Sequence, residues 1–235
     1  MRDHFENKYI DLINDDIYEN YFTPVLDDVF AYYKPKYVCD IGCGNGVFTS
    51  SIKHKFDCKL FGVDGNKYAL KQASKLDFDN LSLVKDFSID SLPFNDGTFD
   101  LVICKDVLEH LVDPVHLVNE IHRITSNNGI FLFHVPNHFP IWGRIKFLFT
   151  NNIDTFNYFP ESERYNFPHI RFFNMNSVKK LLGNSGFIMK KNLSHHFAKP
   201  RIIHRFIPSA VKKLLAKFST DNFSEGITLI FEKRL

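Results

Sequence analysis

Residues 38–48 read VCDIGCGNGVF. Val38, Cys39, Asp40 and Ile41 form a short strand signal that follows Tyr37. Gly42, Gly44 and Gly46 then mark a turn, and residues 47–56 carry a helical pattern. Glycines at such a corner allow a sharp turn and let a ligand approach the main chain, while the following helix presents unpaired N–H groups at the same place. The corner is therefore expected to bind a nucleotide-like molecule. A dinucleotide fingerprint has the spacing G-x-G-x-x-G/A and seats a pyrophosphate on the helix N-terminus. Here the spacing is G-x-G-x-G, and Asp40 at the strand end would repel a pyrophosphate. A carboxylate in that position suits a cationic amine through a charge-assisted hydrogen bond, direct or through water, so the expected ligand carries an ammonium group.

The chain has 235 residues and is 44% hydrophobic, enough for one α/β domain with insertions. Residues 1–21 are studded with Asp, Glu and Asn, and no run of about 18 apolar residues occurs, so a soluble cytoplasmic protein is expected. Cys39, Cys43, Cys58 and Cys104 make no C-x-x-C pair and read as reduced packing residues. No metal is expected, because no histidine and carboxylate cluster has ligand spacing along the chain. The net charge of +2 hides an asymmetry: residues 164–220 hold twelve Lys and Arg and no Asp or Glu. Such a positive stretch attracts anionic substrates, nucleic acid or a membrane surface.

Outward from the glycine corner, residues 9–33 read as a helical layer in two pieces broken near Thr23 and Pro24, within an N-terminal cap over 1–35. Residues 59–64, KLFGVD, form a second strand ending in Asp64, which lies 18 residues past Gly46. A carboxylate at that strand end can accept both hydroxyls of a ribose. A helix over 67–76 and a third strand over 81–85 lead to Asp86 and Phe87. Residues 92–111 read LPFNDGTFDLVICKDVLEHL, with a turn at Asn95–Gly97 and a buried strand over 99–104. Asp113 and Pro114 open a helix as N-cap and first helical residue, Asn127 to Gly129 close it, and a fifth strand covers 130–135. An aromatic-rich insertion over 137–173 follows, with a short helix over 141–149 and a loop over 156–167. Insertions of this length usually serve function. A helix over 175–185, a strand over 186–192 and a closing strand over 224–233 complete the pattern. A second insertion, 197–222, contains an amphipathic basic helix over 209–218.

On the glycine corner, Asp64, Asp86 with Phe87, and the Leu-Glu-His segment at 108–110, taken in that order, the chain resembles the class I S-adenosylmethionine-dependent methyltransferases, in their small-molecule O-methyltransferase branch. The resemblance covers residues 36–187. It implies a Rossmann-like α/β fold: a seven-stranded, mostly parallel sheet with helices on both faces, an antiparallel last hairpin, and insertions after the fifth strand and before the last. It also implies S-adenosyl-L-methionine as cofactor. Asp40, Gly42, Cys43, Gly44 and Gly46 would hold its methionine part, Asp64 and Gly65 the ribose, and Asp86 and Phe87 the adenine, with Cys104 and Lys105 at the end of the fourth strand. His110, His169 and Arg171 are the candidate catalytic and acceptor-facing residues, and 137–173 takes the place of an acceptor lid.

The expected reaction is O-methylation of a small molecule, a sugar or a lipid- or nucleotide-linked glycan, ahead of a quinone or other aromatic precursor. The partner is then an acceptor that is anionic or lipid-linked, with peripheral membrane contact through 197–218. Two other readings stay open: a non-catalytic S-adenosylmethionine-binding partner protein, and an RNA-binding methyltransferase that uses the basic stretch. An adenine-directed nucleic-acid enzyme would carry an Asn- or Asp-Pro-Pro-aromatic turn after the fourth strand. Here that place reads Cys104-Lys105-Asp106-Val107, so no specific nucleic acid is expected.

Overall fold

The computed structural model of the chain describes residues 15–150, 169–197 and 208–234. In chain order the elements are α1 (Asp15–Tyr33), β1 (Tyr37–Ile41), α2 (Val47–Lys55), β2 (Lys59–Asp64), α3 (Lys67–Ala73), β3 (Asn80–Leu83), β4 (Phe99–Lys105), α4 (Pro114–Ile124), β5 (Thr125–Pro136), α5 (Ile141–Thr150), α6 (Met175–Asn184), β6 (Phe187–Asn192), α7 (Ser209–Phe218), α8 (Thr220–Phe223) and β7 (Gly226–Lys233), with 3₁₀ turns at Leu108–His110 and Ser194–Phe197. The strands form one sheet in the order β3-β2-β1-β4-β5-β7-β6. β1 to β5 run parallel, and β7 is antiparallel to both β5 and β6. The expected mostly parallel sheet with an antiparallel end is therefore the one observed.

Alternation along the strands divides the core into two layers. Val38, Leu60, Leu101, Ile103 and Leu132 pack with Phe22, Val25, Leu26, Val29 and Phe30 of α1 and with Ile52 of α2. Cys39, Ile41, Val63, Val102 and Phe133 face the opposite way, against Leu117, Val118 and Ile121 of α4 and Val178 and Leu182 of α6. Because the side-chain period of a strand is two, Asp40 shares the face of Val38 and looks toward α2.

The break expected in the first helix is absent, since α1 runs through Pro24. Proline removes one backbone donor and crowds the preceding turn at a cost of about 3 kcal/mol. Phe22, Val25, Leu26, Val29 and Phe30 are all buried, and at roughly 1.5–3 kcal/mol for each fully buried side chain their packing outweighs that cost. The third strand sits one residue earlier than expected and stops at Leu83, because its neighbour β2 ends at the opposite position, Asp64. The fourth helix ends before the Asn-Asn-Gly turn: Thr125 already pairs with Phe99, and its hydroxyl donates to the Ile121 carbonyl. Residues 1–14, 151–168 and 198–207 lie outside the described residues, and with them the expected loop over 156–167 and part of the second insertion. No helix among the described residues is long and apolar enough to cross a membrane.

Parallel pairing brings the carboxyl ends of β1, β2 and β4 to one edge of the sheet. Asp40 is level with Gly62 and Ile103, and Ile41 with Val63 and Cys104. Chain order reverses direction between β1 and β4, and crevices for ligands open at such switch points.

Candidate functional site

The turn after β1 is held from below by β2. Gly42 and Cys43 donate N–H bonds to the Val63 carbonyl at 2.7 and 3.0 Å, and Gly46 closes the turn on the Cys43 carbonyl at 3.0 Å. Gly42, Gly44 and Gly46 all have positive φ, at 76°, 56° and 79°, a region that L side chains enter only with strain. The three differ in what surrounds them. A β-carbon on Gly42 would lie 2.3 Å from Cγ2 of Val107, and one on Gly46 would lie 2.7 Å from the Phe78 ring and 2.9 Å from Ala73. At Gly44 a β-carbon would meet nothing within 4 Å. The main chain at Gly44 therefore borders open space.

Asp64 ties this loop to the second strand. Its Oδ2 accepts the Gly44 N–H at 2.8 Å and its Oδ1 accepts the Asn66 N–H at 2.7 Å. Asn66 in turn caps α3 by accepting from Tyr68 and Ala69. A carboxylate has about four lone-pair directions, so Asp64 retains acceptor capacity for a ligand. Gly65 lets the backbone pass close to β3, since a β-carbon there would come within 3.2 Å of the Val84 carbonyl oxygen.

Asp40 is 3% exposed, and its Oδ2 accepts the hydroxyl of Thr49 from α2. Burial pushes its carboxyl up to about 7, although the Thr49 bond and the ammonium of Lys105 pull the other way. The fold thus favours the protonated acid. Its contribution to stability is full below the ordinary carboxylate value of 3.8 and is lost as pH rises through about 7. A cation placed against Asp40 would reverse that preference.

Of the remaining cofactor candidates, Phe87 is buried, while Asp86 is exposed and accepts the Ser88 N–H at 2.8 Å. Cys104 is fully buried within β4, and burial drives its thiol well above the ordinary range. Lys105 pairs with Asp106 at 2.8 Å and lies over the rings of Phe22 and Phe48.

A second polar group forms beyond β4. The backbone carbonyl of Glu109 accepts the N–H groups of Ile170 and Arg171 at 2.9 and 3.0 Å. Residues 61 positions apart in sequence are thereby joined, and the expected candidates His110 and His169 meet with ring centroids 4.8 Å apart. Arg171 has a different environment from an acceptor-facing fork, because its guanidinium donates to the carbonyls of Leu111 and Val112 and so clamps the loop before α4.

His138, which carries no signal in the sequence, completes the group. The Phe173 N–H donates to His138 Nδ1 at 3.0 Å, so the neutral His138 ring carries its proton on Nε2, which lies 2.8 Å from His169 Nδ1. His169 then carries its own proton on Nε2. Burial lowers the two rings to about 4 and about 3, keeping both neutral near pH 7. Glu109 is a further residue that pattern reading passed over. It is 0% exposed, and neither carboxylate oxygen has a hydrogen-bond partner among the described residues. Burial, aided by the charge of Asp106, drives its carboxyl well above the usual range.

Comparison with known proteins agrees with this geometry. Residues 39–133 match the family described as Methyltransferase domain. The sarcosine/dimethylglycine N-methyltransferase of Halorhodospira halochloris is 30% identical over 104 residues, 43% of this chain and 37% of that protein. The ubiquinone biosynthesis O-methyltransferase of Vibrio campbellii is 29% identical over 126 residues, 50% of this chain and 49% of that protein. The chain thus spans about half the length, or less, of these curated relatives. Among solved structures, a chain from the complex of the Haloferax volcanii Trm112 methyltransferase activator with a methyltransferase superposes with a TM-score of 0.64. It covers 98% of both chains at 17% identity, a likeness of fold. The family and fold imply S-adenosylmethionine as the cofactor, and the open main chain at Gly44 beside Asp64 fits its close approach. By the match over residues 39–133, its strand order and its glycine corner, the chain carries a methyltransferase domain with the fold of the class I, S-adenosylmethionine-dependent enzymes.

Proposed function

We propose that the protein is an enzyme that transfers the methyl group of S-adenosylmethionine to a hydroxyl of a small molecule, with a sugar or a lipid- or nucleotide-linked glycan as the favoured acceptor class. The observation that carries the donor half is Gly44: its main chain borders open space, and its N–H is aimed by the Asp64 carboxylate at the end of β2. When bound, S-adenosylmethionine supplies a methyl group on an electrophilic sulfonium. Asp40 is assigned to the ammonium, Asp64 to the ribose hydroxyls, and Asp86 with Phe87 to the adenine. Holding donor and acceptor in line accounts for roughly 7–11 kcal/mol of the barrier.

The acceptor half rests on the proton bookkeeping of the second polar group. A hydroxyl must shed a proton on methylation, whereas a neutral amine presents its lone pair directly. His169 has its basic nitrogen occupied by His138 and acts as a neutral donor. His110 is assigned as the proton acceptor, and Arg171 as a positioning residue that fixes the loop bearing Val112. The twelve cations of residues 164–220 support an anionic or lipid-linked acceptor. The likeness to a ubiquinone biosynthesis O-methyltransferase supports a phenolic hydroxyl as the second acceptor class.

Calorimetry with S-adenosylmethionine and with NAD tests the donor. Tight NAD binding without a response to the methyl donor sinks the reading. Release of S-adenosylhomocysteine against nucleotide sugars, lipid-linked glycans, phenols, amines and RNA tests the acceptor: turnover of amines or RNA alone removes the hydroxyl assignment, and turnover of none removes the enzymatic one. With the productive acceptor, His110→Ala is expected to lower kcat about a hundredfold, the low end for a general base, with donor affinity unchanged.

Asp40 yields a pH signature. Because its carboxyl sits at about 7 and an ammonium ligand favours the ionised form, binding below that pH expels a proton. S-adenosylmethionine affinity is expected to fall by about tenfold per pH unit between pH 6 and pH 5. Asp40→Asn should bind more weakly at pH 7 and lose this slope; an unchanged slope in the variant would place the titrating group elsewhere.

A further inference from the structure

Glu109 presents a physical problem that methyl transfer alone does not resolve. A side chain with no exposure, whose two carboxyl oxygens have no hydrogen-bond partner among the described residues, is costly, because the Lys105 charge offsets only part of its desolvation. Among the described residues, one group of side chains has ligand atoms close enough to share a metal ion, and Glu109 belongs to it. Glu109, His110 and His169 each offer one atom, and these atoms all lie within 4.8 Å of one another. The expectation that the chain holds no metal rested on linear spacing, and His169 stands 59 residues beyond His110. The bonds from Ile170 and Arg171 to the Glu109 carbonyl bring it there.

We propose that Glu109, His110 and His169 form a binding site for a divalent transition-metal ion, with the Glu109 carboxylate as its anionic ligand. Two imidazoles and one carboxylate suit Mn²⁺, Fe²⁺, Co²⁺ or Zn²⁺, and three protein ligands leave positions open for water or a substrate hydroxyl. An ion supplies the buried carboxylate with a partner that the described residues do not. With an ion bound, the lone pair of His110 is committed to it, and the ion would take over the role given to that ring by lowering the pKa of an adjacent acceptor hydroxyl, which is chemistry that O-methylation can use. The site itself does not depend on the methyl-transfer reading.

His138 lies just outside this set, and its bonding makes the proposal specific. For His169 to ligate through Nε2, its proton must move to Nδ1 and point at His138 Nε2. His138 must then accept there and release the Phe173 N–H from its other nitrogen. His138 thus competes with the ion through the tautomer it imposes. Removing it leaves all three ligands in place.

The test uses the full chain, stripped with a chelator and titrated with Co²⁺, followed by its visible absorption, with Mn²⁺ paramagnetic resonance in parallel. Wild type is expected to take up one saturable equivalent. Glu109→Met and His169→Gln should each bind at least about tenfold more weakly. Glu109→Met should also melt at a higher temperature in the absence of metal, because an apolar isostere relieves the unpaired carboxyl. His138→Ala should bind as tightly as wild type or more tightly, and the double variant His195→Gln/His196→Gln, altered at the other adjacent pair of histidines, should be unaffected. No saturable equivalent in wild type, wild-type affinity in both ligand variants, or loss of binding in His138→Ala or in the double variant overturns the assignment. Circular dichroism and S-adenosylmethionine calorimetry on every metal-free variant report folding. Metal uptake without any response to S-adenosylmethionine would leave this site standing and remove the proposed function instead.

Discussion

Replacing Gly44 with alanine is expected to leave a folded protein that has lost at least about tenfold in affinity for S-adenosylmethionine, some 1.4 kcal/mol or more. A β-carbon there meets nothing within 4 Å among the described residues, so the structural cost is confined to a positive φ of 56°, about 1–2 kcal/mol for a non-glycine residue. The same methyl occupies the space through which a ligand reaches the Gly44 main chain. Gly42→Ala and Gly46→Ala provide the contrast. Each combines a positive φ with a β-carbon driven to 2.3 Å from Val107 or 2.7 Å from Phe78. Overpacking adds roughly 1–3 kcal/mol to the strain, a large share of the roughly 5–15 kcal/mol that holds a domain folded. Urea melts and calorimetry separate the two effects. If Gly44→Ala unfolds as readily as Gly42→Ala, or keeps full affinity, the assignment of Gly44 to ligand approach is wrong.

The other large effect is expected at Asp64. Asp64→Ala removes the acceptor for the Gly44 N–H and for the Asn66 N–H, and each donor left unsatisfied costs about 1–3 kcal/mol. The proposed ribose partner is lost in the same step, and the glycine loop loses the tether that aims it. S-adenosylmethionine affinity is therefore expected to drop by about a hundredfold or more, roughly 2.7 kcal/mol, together with a lower melting temperature. Asp64→Asn is a sharper variant, because it keeps one carbonyl acceptor but turns an amide N–H₂ toward a backbone donor. It should recover part of the stability and little of the affinity. Full affinity in Asp64→Ala would exclude the residue from the donor site.

The two effects at Gly44 and Asp64 are coupled through one hydrogen bond. Their double variant should therefore lose less affinity than the single losses predict by addition, since once Asp64→Ala has released the loop, the methyl at position 44 covers a main chain that is no longer aimed. Arg123 plays a comparable positioning role farther out. It donates to the carbonyls of Leu92 and Phe94 and pairs with Glu120 and Asp96, fastening the loop before β4 to α4.

Much of the geometry around the glycine corner was legible in the sequence because its signals are local. A glycine corner, an acid closing a strand and an N-cap Asp followed by Pro depend on backbone geometry within a few residues, and Asp113 does accept from Val115 and His116. Element boundaries were less legible where tertiary partners set them: β3 ends with its neighbour, and α1 crosses Pro24 because five apolar side chains are buried on the sheet. Thr49 and His134 carried no signal either. A buried threonine on a helix looks like any other until the strand beside it presents Asp40, and the His134 ring is placed by Thr228, nearly a hundred residues away.

By itself, then, the sequence determined the order of strands and helices, the glycine corner at residues 42–46, and the acids Asp40, Asp64 and Asp86, each at the end of a predicted strand. Periodicity and turn chemistry act over short spans, and such spans suffice for these features. Only the tertiary structure decided that Gly44 alone of the three glycines borders open space and that Arg171 clamps a loop. It alone brought Glu109, His110, His138 and His169 together. Those outcomes depend on which surfaces the folded chain brings into contact across 27 to 65 positions of sequence, and no local pattern encodes such contacts.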